Sequence, residues 1–158
     1  MMPKLKEELR TIFNDYGLKY VFDTNSQEIK VMKEKKPGEI FLIPFHSIAD
    51  TLQRMIFYKA AIESNSESAL VFEEPEAHSY SPFISKVTQD IIQSDRNQFF
   101  ITTHSPYVVN DFLELPSDEL AIYLVDFRNG ETFVKRASDT EVQEMYEYGI
   151  ELFFNTET

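Results

Sequence analysis

The stretch Ala69-Leu-Val-Phe-Glu-Glu-Pro-Glu-Ala-His78 constrains this chain more than any other. Its apolar half shows no polar alternation, the pattern of a strand buried on both faces, which favours a parallel sheet with helices on either side. A second apolar run, Gln98-Phe-Phe-Ile-Thr102, follows it. The residues between carry Phe83, Ile84, Val87, Ile91 and Ile92 at helical spacing over 82–92. Strand, helix, strand at this length is one βαβ crossover, right-handed by default. Both strands end in reactive groups: Glu73 and Glu74 close the first, and Thr102-Thr-His-Ser-Pro106 closes the second. Open parallel sheets bind ligands beyond the carboxyl ends of neighbouring strands.

The flanks read as two smaller units. Leu5, Leu9, Ile12, Phe13 and Tyr16 make one apolar face of a helix over 3–16, opened by Pro3 and closed by Gly17. Residues 18–22 and 28–32 are short β-prone segments around Asp23-Thr-Asn-Ser-Gln27, which predicts a hairpin. Residues 33–38 read as a solvated break before a third apolar run at 40–43, which Pro44 stops. A helix is expected from residue 47, with Ile48, Leu52, Met55, Ile56, Tyr58 and Ile62 crowding one side and Ser47 or Asp50 as its cap. Beyond the second strand, 107–113 read as a short helix, 120–127 and 132–135 as a hairpin across Asn129-Gly130, and 141–153 as a closing helix. The expected organisation is one domain over 1–158: a leading helix and hairpin at 1–44, a core at 45–115, and a carboxyl-terminal hairpin and helix at 116–158.

With 42% apolar and 14% aromatic residues, the chain has the makings of a folded core. Its formal charge of −12 argues against direct nucleic-acid binding by this chain alone, because phosphate backbones are held by lysine and arginine. The lack of cysteine excludes disulfides, thiolate metal sites and thiol nucleophiles, and suits a reducing cytoplasm. No apolar run approaches the roughly 18 residues of a membrane span and no signal-peptide pattern opens the chain, so a cytoplasmic protein without a membrane partner is expected.

Glu-Glu-Pro-Glu-Ala-His at 73–78, followed in order by Thr-Thr-His-Ser-Pro at 102–106, resembles the Walker B segment and switch histidine of ABC-type P-loop ATPases in their OLD-like and SMC-like branch. The likeness is close over 45–112 and rests on the order of elements in the flanks. It implies an α/β fold: a partial P-loop parallel sheet flanked by helices, with small antiparallel hairpins at both ends. It also implies roles. Glu73, where aspartate is usual, would orient magnesium through its water shell; Glu74 would polarise the attacking water; His104 would contact the γ-phosphate while held by the preceding carboxylate. One carboxylate with phosphate oxygens suffices for magnesium, and such catalysis is mostly alignment and charge neutralisation. The loop Phe45-His-Ser-Ile-Ala-Asp-Thr-Leu-Gln-Arg54 stands where the ABC signature enters its helix, with Ser47 and Gln53 as the corresponding nucleotide-binding candidates. A helix start offers N–H groups to an anion. Here, however, the signature glycine is absent, and Asp50 would repel a phosphate.

No Gly-x-x-x-x-Gly-Lys-Ser/Thr string occurs, and the four glycines are Gly17, Gly38, Gly130 and Gly149. The phosphate-cradling Walker A loop must come from elsewhere. The chain therefore reads as the carboxyl-terminal half of an ATP-binding and hydrolysing enzyme, with Mg2+ and ATP held only in a site completed by a Walker A-bearing partner chain or by a missing amino-terminal half, and with a homodimer or that partner chain as the expected assembly. Met1-Met2 reads as a genuine start; a split enzyme, a fragment and a degenerate remnant all fit. Two other classes stay open. One is a catalytically silent dimerisation module that keeps the fold, since half a sheet leaves an unpaired edge and an apolar face. The other is a metal-dependent hydrolase on Glu73, Glu74, Glu76 and His78, which strand alternation and the turn at Pro75 oppose. His46 could stack on a base or simply pack. Tyr80-Ser-Pro82 reads as a helix cap with proline in the first turn, and Tyr146, Tyr148, Phe153 and Phe154 read as core or interface.

Overall fold

The computed structural model describes residues 3–79, 81–116 and 118–149; the expectations for Tyr80, Phe153 and Phe154 lie outside them. Helix α1 (Pro3–Asp15) leads into a three-stranded antiparallel meander of β1 (Lys19–Asp23), β2 (Glu28–Lys36) and β3 (Glu39–Pro44). A 3-10 turn at Phe45–Ser47 precedes helix α2 (Asp50–Ser64). The crossover follows as β4 (Ala69–Glu73), α3 (Ser81–Ile92) and β5 (Gln98–Thr102), with β4 and β5 parallel. The chain continues through α4 (Pro106–Phe112), the hairpin β6 (Tyr123–Arg128) and β7 (Glu131–Arg136), and α5 (Asp139–Tyr148). Asn129 and Gly130 both have positive φ, 53° and 84°, as a two-residue hairpin turn matched to strand twist demands.

Two local expectations are corrected. The solvated break at 33–38 is mostly strand, because Lys33, Glu34 and Lys36 pair with Phe41, Ile40 and Glu39. Pairing with an apolar strand overrides a charged sequence, and only Pro37 and Gly38 remain to turn the chain. Nor does Ser47 or Asp50 cap α2: its N-cap is Ala49, without a side-chain cap bond, and Ser47 belongs to the preceding 3-10 turn. Gln53 braces that turn instead, donating from Nε2 to the carbonyls of Ile48 at 2.8 Å and His46 at 3.3 Å.

One apolar cluster unites Leu9, Ile12 and Phe13 of α1, Val31 of β2, the buried face of α2, Ile84, Val87 and Ile91 of α3, and Val108 and Phe112 of α4. Lys59 of α2 is only 7% exposed, and its Nζ lies between Glu8 of α1 at 3.2 Å and the Asp90 carboxylate of α3. That one buried cation ties three helices together. The β4–β5 pair meets this core through Leu70, Phe72, Phe99 and Ile101, with the Tyr58 ring 4.9 Å from Phe72. The alternate residues turn away: Val71 is 72% and Phe100 52% exposed. Burial on both faces, expected from the unbroken apolar run, is thus corrected to burial on one, since nothing among the described residues covers the other. The β6–β7 hairpin shows a similar face, on which Tyr123, Val125, Phe127 and Val134 are all exposed. No described helix is long and apolar enough to cross a membrane.

Helix α5 starts with a capping box: the Ser138 hydroxyl accepts from the Glu141 N–H, while the Glu141 carboxylate accepts from the Ser138 N–H at 2.8 Å. Lys135, first, and then the Ser138 N–H and hydroxyl pull the Glu141 carboxyl down from 4.5 to about 2. Because the folded value is the lower one, this stabilisation is complete above the unfolded value and fades as pH falls from 4.5 towards 2. Ser138→Ala should cost roughly 1 kcal/mol of α5 stability. Glu141→Gln should flatten the acid-side loss of protection in α5. Amide exchange at Met145 and Tyr146, followed against pH, checks both; an unaltered acid profile in E141Q would refute the assignment.

Candidate functional site

The site is built where β4 and β5 end together. Their parallel register pairs Glu73 with Thr102, and that last pair is closed by the Glu74 N–H, which donates to the Thr102 carbonyl at 2.8 Å. At that point the backbone of Glu74 takes a φ of +41°, a left-handed conformation that costs a residue with a Cβ. Pro75 is fully buried beneath the turn, and the N–H groups of Ala77 and Ser79 return to the carbonyls of Glu74 and Glu76, each at 2.9 Å. The chain therefore curls over the end of β5. There Glu74 Oε1 lies 2.9 Å from His104 Nδ1. Glu73 goes elsewhere: strand alternation places it with Val71 on the open face, exposed to solvent.

Two further residues shape this corner. Glu76 Oε1 accepts from the Thr103 hydroxyl at 2.6 Å and from the His104 N–H at 3.2 Å. Arg54, on α2, donates from Nη2 to the Glu74 carbonyl at 3.4 Å and to the Tyr58 hydroxyl at 3.1 Å. Thr51, one turn earlier, donates to the His78 carbonyl at 2.9 Å, so α2 is clipped to the Glu-Glu-Pro-Glu turn at two points. Sequence reasoning considered Glu76 only as a metal ligand and passed over Arg54. The available signal for Arg54 was its place four residues before Tyr58, one helical turn away on the same face.

The signature-like candidates lie apart from the pair. Ser47 is exposed in the 3-10 turn, and the Gln53 amide nitrogen is engaged with that turn's carbonyls. All four glycines have positive φ and occupy turns or helix ends, so none lies in a phosphate-cradling loop between a strand and a helix. Among the described residues no three His, Asp or Glu side chains converge as a metal cage, which leaves the metal-hydrolase reading without support. Glu73 stands as a single exposed carboxylate at the end of β4.

The left-handed turn can be tested directly. Glu74→Gly relieves the Cβ clash whereas Glu74→Ala keeps it, so E74G should be more stable than E74A by about 1 kcal/mol despite the entropy of glycine. Urea unfolding of E74G and E74A measures this, and equal midpoints would mean that the turn does not hold Glu74 in that conformation.

No family model and no curated protein matches the sequence. Among solved structures, a chain from work on ATP-driven dimerisation and DNA-stimulated activation of SMC ATPases matches with a TM-score of 0.58, over 90% of this chain and 89% of that one, at 14% identity. Likeness at that identity establishes the fold: an α/β, SMC ATPase-like arrangement, consistent with a partial P-loop fold, with a parallel strand pair, helices and antiparallel hairpins.

Proposed function

We propose that this chain is the Walker B and switch-histidine half of an ABC-type ATPase of the OLD-like branch, and that it hydrolyses ATP only with a polypeptide carrying the Walker A loop. The observation that carries this reading is the 2.9 Å contact of Glu74 with His104 at the carboxyl ends of adjoining parallel strands. Glu74 polarises the attacking water. His104, with Nδ1 towards Glu74, keeps Nε2 for a γ-phosphate oxygen; as an imidazolium it donates from both nitrogens. Glu73 would orient magnesium, whose charge offsets that of the phosphates. Ser47, in the exposed turn before α2, is the candidate for the phosphate of the opposing head, and Gln53 holds the shape of that turn.

The open face supports the half-enzyme reading. Val71 and Phe100 belong to strands whose sequence suits burial on both sides, and among the described residues nothing covers one side. The SMC ATPase chain is of nearly equal length, as each covers about nine-tenths of the other, and the ATP-driven dimerisation described for such ATPases is a precedent for partnering. The same face also favours a second reading, a nucleotide-independent dimerising module.

Calorimetry and complementation separate the two. The chain alone should show no tight Mg-ATP binding, and a Walker A-bearing partner should restore hydrolysis, which Glu74→Gln lowers by roughly 10²–10⁴-fold. Val71→Lys and Phe100→Lys should leave the isolated chain's stability within about 0.5 kcal/mol, as exposed positions do, while blocking association. Tight binding of Mg-ATP by this chain alone would overturn the split site. A stable self-dimer indifferent to nucleotide, with no rescue of hydrolysis, would establish the second reading.

A further inference from the structure

We propose that Glu76 is a positioning residue, whose carboxylate anchors the Thr103–His104 turn from below so that the imidazole presents Nδ1 to Glu74 and leaves Nε2 for a ligand. The inference rests on the functional reading of the Glu74–His104 pair, but its test reads side-chain geometry and needs no hydrolysis. The exposures set the argument. The side chains of His104 and Glu74 are 68% and 48% exposed, and that of Glu76 only 12%. An exposed carboxylate–imidazole pair holds its partners weakly. A ring that stands so far in solvent needs its backbone fixed if it is to keep one nitrogen on one oxygen.

Glu76 supplies that fixation. Two donors from successive residues, the Thr103 hydroxyl and the His104 N–H, converge on its Oε1 at 2.6 and 3.2 Å, and hydrogen bonds to an ionised acceptor are the stronger kind. The Thr103 oxygen in turn accepts the Ser105 N–H at 3.0 Å, so three consecutive residues hang on one partly buried carboxylate. The His104 Nδ1 is itself 3.8 Å from Glu76 Oε1 and 2.9 Å from Glu74 Oε1, which leaves Glu74 as the ring's hydrogen-bond partner and Glu76 as the holder of its backbone. A neutral imidazole carries one proton, and this arrangement puts it on Nδ1.

The chain has three histidines, which makes their nitrogen spectrum readable. In the full chain labelled with 15N-histidine, under mildly alkaline conditions where an ordinary imidazole is neutral, His104 should show a protonated Nδ1. Glu76→Ala should shift that resonance to the average of a freely exchanging imidazole and speed exchange of the His104 amide, whereas Glu76→Gln, which keeps an accepting oxygen, should preserve the signature. If Glu76→Ala does not fold, Thr103→Val removes one of the two donors and the same spectrum decides, with a shift towards the free average expected. A protonated Nδ1 that survives Glu76→Ala or Thr103→Val in the folded chain, or one lost equally in Glu76→Gln, overturns the positioning role alone. A free-imidazole spectrum already in the unaltered chain overturns both this role and the Glu74–His104 pair beneath it.

Discussion

The hydrogen bond from the Glu74 N–H to the Thr102 carbonyl is the constraint on which the site depends. It closes the last pair of the parallel ladder and so fixes how far each chain travels before it turns. The register behind it is set by packing: Leu70, Phe72, Phe99 and Ile101 face the core, and a slip of one residue would present Val71 and Phe100 there instead. Apolar burial several residues away thus decides which carboxylate meets which imidazole. The left-handed backbone at Glu74 is the local cost of that meeting, and glycine, which would avoid it, has no carboxylate to offer.

The crossover and both motif strings were legible because their information is local. An unbroken apolar run, helical spacing and turn residues such as Asn129-Gly130 each act on their own segment, and the structure has β4, α3, β5 and the β6–β7 hairpin where they point. What failed to show was set by pairing between segments, which the composition of one segment does not reveal. Lys33 to Lys36 look solvated until Phe41 and Ile40 pair with them. The start of α2 looked capped by Ser47 or Asp50, yet a glutamine side chain from its first turn braces the entry instead. Glu76 reads as one more acid in a string of acids; its grip on Thr103 and His104 depends on two strands ending side by side.

The mismatch between β4 as a sequence and β4 as a packed strand has its own content. Its residues suit an interior strand on both faces, and the described residues bury only one. Apolar exposure of this kind is a hazard for a chain that stays alone, since bare faces and free strand edges invite association. The β6–β7 hairpin adds Tyr123, Val125, Phe127 and Val134 in the same condition. Sheet surface left open beside Glu73 means that whatever covers Val71 and Phe100 also arrives next to that carboxylate, so association and completion of the site are one event in the proposed function.

Charge explains why completion has to come from outside this corner. Glu73, Glu74 and Glu76 gather at the end of β4, Asp50 opens α2, and the cation bonded to the turn, Arg54, is engaged with the Glu74 carbonyl and the Tyr58 hydroxyl. A triphosphate tail brought here meets like charges at short range. The chain's net charge of −12 does nothing to relieve it. Binding then requires imported positive charge, of the kind a magnesium ion and the lysine of a phosphate-cradling loop carry. In the proposed function the division follows from this chemistry: this polypeptide would supply the acids that align water and metal, and the Walker A-bearing one the cation and backbone amides that hold phosphate. On that reading the acidic half kept apart stays without nucleotide, and hydrolysis is coupled to assembly.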